Sequence, residues 1–186
     1  MFLKCYHNGI KVFEKGTNDY ESRAFLRKAC HPVTGLCSEF STFDGVPYTG
    51  EQQKFGRHDW YYSDAYRTIA NIGLDYEWFG KEQGEAWECE VARNLQYFFC
   101  ETAAHKPDAV YSIDGEILAD KALHPLAIIA TNAQASLALE APLSANARTC
   151  VKLFWETPLR KGGRRYYDNC LYMFALLALS GNYRIW

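Results

Sequence analysis

The sequence predicts an all-α protein: an array of antiparallel helical hairpins with short β-loops at some helix ends. Apolar residues recur at helical spacing, as in Trp87, Val91, Leu95 and Phe98. Helix starts and stops are punctuated by capping residues, prolines and glycines. The connections are mostly short, and helices joined by short turns pack antiparallel. With 186 residues the chain is long enough for one domain with a real core. Its 48% hydrophobic and 23% charged residues are ordinary for a soluble globular protein.

Taken in order, Asn18 and Asp19 can cap a helix from Glu21 to Ala29, whose inner face carries Phe25, Leu26 and Ala29. His31-Pro32 stops it and Thr34-Gly35 makes a turn. Residues from Leu36 to Phe55 read as loop, with turn signals at Asp44-Gly45, Pro47 and Gly50. Ser63 or Asp64 opens a helix to about Phe79, ended by Gly80. Another runs from about Gly84 to Ala104 and stops at His105-Lys106-Pro107. Tyr111 to Gly115 reads as a short strand and turn. His124-Pro125 starts a helix reaching about Glu140, with proline in the first turn where its missing N–H costs nothing. Pro142 and Ser144 precede a helix ending near Trp155. After the flexible Lys161-Gly162-Gly163 joint, the last helix runs from about Tyr166 to Leu179 and stops at Ser180-Gly181-Asn182. No internal repeat is evident.

Composition excludes several classes. The formal net charge is −2 with no basic run, which argues against nucleic acid as a partner. Seven cysteines, at Cys5, Cys30, Cys37, Cys89, Cys100, Cys150 and Cys170, form no CxxC pair, so no structural zinc is expected. An odd, scattered set fits reduced thiols in the cytoplasm. The segment from Met1 to His7 has no secretory h-region, and no run approaches the roughly 20 apolar residues of a membrane span. Gly162-Gly163 is too short for a phosphate loop, and no cofactor is implied.

The most informative stretch is His58-Asp59-Trp60-Tyr61-Tyr62-Ser63-Asp64-Ala65-Tyr66-Arg67. It puts four aromatic rings, two carboxylates, an imidazole and a guanidinium at the mouth of a helix. Aromatic faces stack on sugar rings, and carboxylates do acid–base work on acetals. Asp64 at a helix start sits where the dipole favours a carboxylate, and Arg67 one turn on can orient it. Asp64 could equally be a plain helix cap paired with an exposed arginine. Trp60, Tyr61 and Tyr62 are platform candidates or core packing under the loop. His58 and Asp59 can bond sugar hydroxyls or loop backbone.

Asp64-Ala65-Tyr66-Arg67, with Ile69 to Tyr76 after it, resembles the signature of glycoside hydrolase family 8. Ala29-Cys30-His31-Pro32-Val33-Thr34-Gly35-Leu36, Arg165-Tyr166-Tyr167-Asp168 and Ser180-Gly181-Asn182-Tyr183-Arg184 resemble it too. Within that family the chain resembles the reducing-end xylose-releasing exo-oligoxylanases, over roughly residue 20 onward. The resemblance implies an α/α toroid of six hairpins, of which this chain would form a partial barrel of about three to four. It implies inverting hydrolysis of β-1,4 glycans, with Asp64 as general base. The general acid of the family is a glutamate in an N-terminal half that this chain does not match, and a tyrosine holding the nucleophilic water also lies there. Inversion needs two carboxyl groups about 6.5–9.5 Å apart with water between. Among local acids, Glu39, Asp44 and Glu77 have no comparable claim, and Glu39 reads as a loop or surface residue.

In the resembling enzymes a Leu-His-Pro loop kinks into the cleft and makes cleavage exo, and Leu123-His124-Pro125 matches it. A histidine precedes that loop in the family and contacts the terminal anomeric hydroxyl. Ala122 stands there instead, so strict reducing-end selectivity does not follow from the match. Tyr166, Tyr167 and Asp168 open a helix that faces the cleft in the family; capping by Asp168 is the alternative. Three function readings follow: a xylo-oligosaccharide hydrolase releasing xylose, a non-catalytic carbohydrate-binding half-barrel, and an endo-acting glucanase or xylanase. The expected partners are xylo-oligosaccharide and, on apolar faces left uncovered, the upstream half of a barrel or a second copy. On that basis the isolated chain is expected to be poorly stable and weakly active.

Overall fold

The computed structural model describes residues 3–4, 17–49, 58–80, 87–102, 106–140 and 142–184. Six helices dominate: α1 (Thr17–Ala29), α2 (Tyr66–Asp75), α3 (Trp87–Tyr97), α4 (Pro125–Gln134), α5 (Ala145–Glu156) and α6 (Arg165–Leu179). The expected helices are present with small shifts. α1 begins at Thr17, so Asn18 and Asp19 lie in its first turn. The helix after Asp64 changes pitch: a 3-10 turn at Ser63–Ala65 leads into α2, and a π turn at Tyr76–Gly80 closes it. The helix expected from about Gly84 likewise ends in a π turn at Phe98–Thr102. Residues 84–86 and 103–105, and the loop signals at Gly50 and Phe55, fall outside the described residues.

α4 is the hub. Every residue from Leu126 to Gln134 is buried, and the helix packs against α2, α5 and α6. A helix buried on every side is an interior helix, and these neighbours cover it, including its polar Thr131, Asn132 and Gln134. α2 approaches α4 closely at Gly73, where a Cβ would stand 2.6 Å from the Gln134 carbonyl oxygen. Buried amides tie α4 to both α2 and α3. Gln134 Nε2 donates to the Ala70 carbonyl at 3.1 Å, and Gln96 Nε2 donates to the Asn132 carbonyl at 2.9 Å. Each is a polar group whose burial is offset by a hydrogen bond. Arg23 on α1 makes a bidentate pair with Asp75 at the end of α2, at 2.7 and 3.0 Å, with both side chains buried.

The β-loops are short and antiparallel. β1 (Leu3–Lys4) pairs with β2 (Phe40–Ser41). A three-stranded sheet has the order β3 (Trp60–Tyr61), β4 (Val110–Ser112), β5 (Ile117–Ala119), with Trp60 opposite Ser112 and Tyr61 opposite Tyr111. The turn after α1 is closed by Gly35 at φ +70°, where any Cβ would meet the Val91 carbonyl. On α6, Tyr166, Met173, Phe174 and Leu177 share one outward apolar face, along part of which runs an open groove of about 630 Å³. Among the described residues no helix is long and apolar enough to cross a membrane.

Candidate active site

The site forms where the 3-10 turn before α2, the loop before α4 and the first turns of α6 meet. Asp64 lies in the 3-10 turn and Arg67 in the first turn of α2, and the guanidinium donates to the Asp64 carboxylate. Asp64 retains 17% of its side-chain exposure, so its carboxylate is partly enclosed while still accessible to water. The residue before it carries backbone strain. Ser63 has φ +40°, in the left-handed region that a non-glycine residue enters at a cost of about 1–3 kcal/mol. The Tyr167 hydroxyl donates to the Ser63 carbonyl at 2.8 Å, across 104 residues of sequence. Such outliers persist only where surrounding structure holds them, and they cluster at functional sites.

Tyr167 is the centre of a continuous cluster. The Arg67 guanidinium carbon lies 5.6 Å from its ring centroid, and the His124 ring centroid lies 4.4 Å away. Burial pushes the Tyr167 phenol well up, and the Asp64 and Glu39 charges add to this against the opposing Arg67. The hydroxyl is therefore a neutral donor at ordinary pH.

His124 continues the cluster inward. Its Nδ1 lies 3.3 Å from Asp168 Oδ2, while Asp168 Oδ1 accepts the Ala127 backbone N–H at 2.8 Å. Arg160 donates to Asp168 and, at 2.7 Å, to the Leu123 carbonyl. Asp168 is 0% exposed. Burial alone would raise its carboxyl, but hydrogen bonds from His124, Arg160 and the Ala127 N–H outweigh that and hold it below the usual carboxylate value. This corrects the expectation that Asp168 faces substrate. Its oxygens are occupied, and it caps the N-terminus of α4 rather than its own helix. Leu123 and Pro125 flank His124 in partly exposed positions.

The aromatic stretch divides. Tyr61 is 1% exposed and packs against Tyr66 and Phe99 at centroid distances of 4.9 and 6.1 Å. That corrects its reading as a sugar platform: a ring enclosed in the core has no free face. Tyr62 is also buried, whereas Trp60 and Asp59 are partly exposed at the sheet edge. His58 is buried against Phe40, at a centroid distance of 3.9 Å, with Nδ1 3.5 Å from Glu39 Oε2. Tyr166 is 82% exposed, pointing away from this cluster along the groove on α6.

Two residues have a part here that the sequence did not show. Glu39 stands in a loop, as expected, but is only 13% exposed; burial raises the phenols of Tyr62, Tyr66 and Tyr167, and the Glu39 charge adds to this. Arg160 sits in an irregular stretch with no motif around it. One signal did point to the Asp168 cap. α4 starts at His124 with no Ser, Thr, Asp or Asn in the cap position, so its free N–H groups call for an acceptor from elsewhere. No group of three or more His, Cys, Asp or Glu side chains arranged to hold a metal occurs among the described residues.

No protein-family model matches the chain. Individual proteins do. The chain is 50% identical over 165 residues to the reducing-end xylose-releasing exo-oligoxylanase Rex8A of Paenibacillus barcinonensis, covering 89% of this chain and 41% of that protein. A reducing end xylose-releasing exo-oligoxylanase of Halalkalibacterium halodurans is 49% identical over 168 residues, covering 89% and 40% respectively. Endoglucanase A of Acetivibrio thermocellus is 28% identical over 152 residues. Among solved structures, a single-residue mutant of Paenibacillus barcinonensis Rex8A complexed with arabinofuranosyl-xylotetraose superposes with a TM-score of 0.79 at 48% identity, over 90% of this chain and 42% of that one. The chain thus spans about two fifths of the length of these exo-oligoxylanases, and over that length it shares their α/α-barrel fold.

Proposed function

We propose that this chain, homologous to part of the family 8 reducing-end xylose-releasing exo-oligoxylanases, carries the general base of an inverting β-1,4-xylosidic hydrolysis and releases xylose from xylo-oligosaccharides. The observation that supports it most is the strained turn at Ser63–Asp64, fixed from two sides by Arg67 and by the Tyr167 hydroxyl. A base must be oriented and reached by water, and a partly exposed carboxylate paired with a guanidinium meets both needs.

In this reading Asp64 takes the proton of a water attacking the anomeric carbon from the face opposite the leaving group. The leaving oxygen is protonated by a carboxylic acid from the part of the relatives' length that this chain does not match. Trp60 and Asp59 line the sugar path, and Leu123-His124-Pro125 closes its end so that one xylose unit fits beyond the cleaved bond. The apolar strip of Tyr166, Met173, Phe174 and Leu177 on α6 packs against the remaining hairpins of the barrel. A reducing, cytoplasmic setting fits the six cysteines among the described residues, all present as free thiols.

The test is xylotriose incubated with the purified chain, alone and together with the upstream part of a relative such as the Paenibacillus enzyme, with products followed by NMR. Xylose and xylobiose with inverted anomeric configuration, lost in Asp64→Ala, support the reading. No turnover in either setting, or turnover that survives Asp64→Ala, refutes it.

A further inference from the structure

Three consecutive residues at the start of α6 each hold a different loop in place. Tyr167 holds the Ser63 carbonyl, as described. Asn169 grips residue 160 at both backbone groups: its Oδ1 accepts the Arg160 N–H at 2.9 Å and its Nδ2 donates to the Arg160 carbonyl at 3.0 Å. Between them, Asp168 takes the Arg160 guanidinium, His124 Nδ1 and the Ala127 N–H. Arg160 Nη1 also reaches the Leu123 carbonyl at 2.7 Å. Leu123, His124 and Ala127 thus converge on one ion pair.

His124 has φ −135° and ψ 64°, outside both helix and strand. Pro125 keeps the preceding His124 out of the helical region, no local cap holds it, and the long-range bonds fix where the loop then sits. A bonded guanidinium–carboxylate pair aims several donors and acceptors at once, and a fully buried carboxylate loses more than an exposed one when its partner goes.

We infer that Arg160 and Asp168 are positioning residues that fix the Leu123-His124-Pro125 loop, and so set how many sugar units fit beyond the cleaved bond. Neither touches the sugar; both act through the backbone and imidazole of the loop. The product-size part rests on the reading of that loop as the wall of the cleft given under Proposed function. The positioning part does not.

Arg160 is the better site to perturb, because its side chain is 28% exposed and its removal leaves no hole in the core. The comparison uses Arg160→Met, Arg160→Lys and Leu123→Ala, each in the full chain. The first readout needs no turnover: the Leu123 methyl signals, the His124 ring nitrogens and amide exchange at Ala127. Arg160→Met should broaden or shift the first two and speed exchange at Ala127 about tenfold, through local opening of the first turn of α4. Arg160→Lys, which keeps a multiple donor, should restore most of this. The second readout is the ratio of xylobiose to xylose released from xylotetraose under the conditions that give turnover. It should rise about tenfold in both Arg160→Met and Leu123→Ala. A merely destabilised fold would lower both products together and leave their ratio unchanged.

Unchanged Leu123 and His124 signals in Arg160→Met would overturn the inference. So would a product ratio that rises in Leu123→Ala and not in Arg160→Met. A ratio unmoved by Leu123→Ala, with the NMR changes present, would instead remove the wall reading and leave Arg160 and Asp168 as the residues that hold the loop.

Discussion

Replacing Tyr167 with phenylalanine removes one oxygen and separates two roles for the residue. The ring stays in place, so its contacts with His124 and the Arg67 guanidinium survive. What goes is the 2.8 Å bond to the Ser63 carbonyl. One neutral, partly buried hydrogen bond contributes about 1 kcal/mol. For a chain of this size that lowers the melting temperature by about 3 °C. The catalytic effect should be larger. The bond holds Ser63 at φ +40°, and its loss lets the turn relax and swing the Asp64 carboxylate away from the attacking water. A misplacement of that kind costs about 10–100-fold in kcat, with KM nearly unchanged, because the hydroxyl serves the backbone and not the sugar. Urea unfolding gives the stability term and xylotriose turnover gives the kinetic one. Tyr166→Phe is the control: at 82% exposure it should shift stability by less than about 0.5 kcal/mol. A rise in KM at constant kcat for Tyr167→Phe would refute the reasoning and put the hydroxyl on substrate.

Three further outcomes follow from the packing. Gly73→Ala should destabilise the chain by about 1–3 kcal/mol, since its Cβ would sit 2.6 Å from a backbone oxygen of α4; the urea midpoint should fall with the slope unchanged. Arg23→Met should cost about 3–5 kcal/mol by breaking the buried ion pair with Asp75, while Arg23→Met combined with Asp75→Leu should recover most of that loss. The Asp168 carboxyl is held below its unfolded value, so its contribution to stability is present above about pH 4 and is lost as pH falls through the lower folded value. Asp168→Asn should flatten that acid limb in a melting series from pH 7 to pH 3.

The helices were readable because their signals are local. The start of α4 at His124-Pro125 and that of α5 after Ser144 each depend on residues within one turn, and Ser144 does cap Ala147 at 3.1 Å. The sheet was not readable beyond β4. Strands of two residues, such as Trp60–Tyr61, carry no alternation, and their partner lies some fifty residues later. The same limit governs the site. Asp64 with Arg67 is an i, i+3 pair, visible in the sequence, and the structure makes it an ion pair. The roles of Asp168, Arg160 and Glu39 arise from contacts that no spacing encodes. Asp168 stands out in the sequence only by its place at the head of α6, but what it caps lies 41 residues earlier. Tyr61 and Tyr62 carry the same sequence signal as Trp60, yet both are buried, Tyr61 opposite Tyr111 in the sheet.

Asp64 as the base is put to the test by kcat/KM for the chain and for Asp64→Asn, under the conditions that give turnover. The isosteric change keeps shape and a hydrogen-bond acceptor while removing the ionisable group. Asp64→Asn should lose about 10²–10⁴-fold in kcat/KM. An Asp64→Asn protein that keeps its rate would rule Asp64 out as the base.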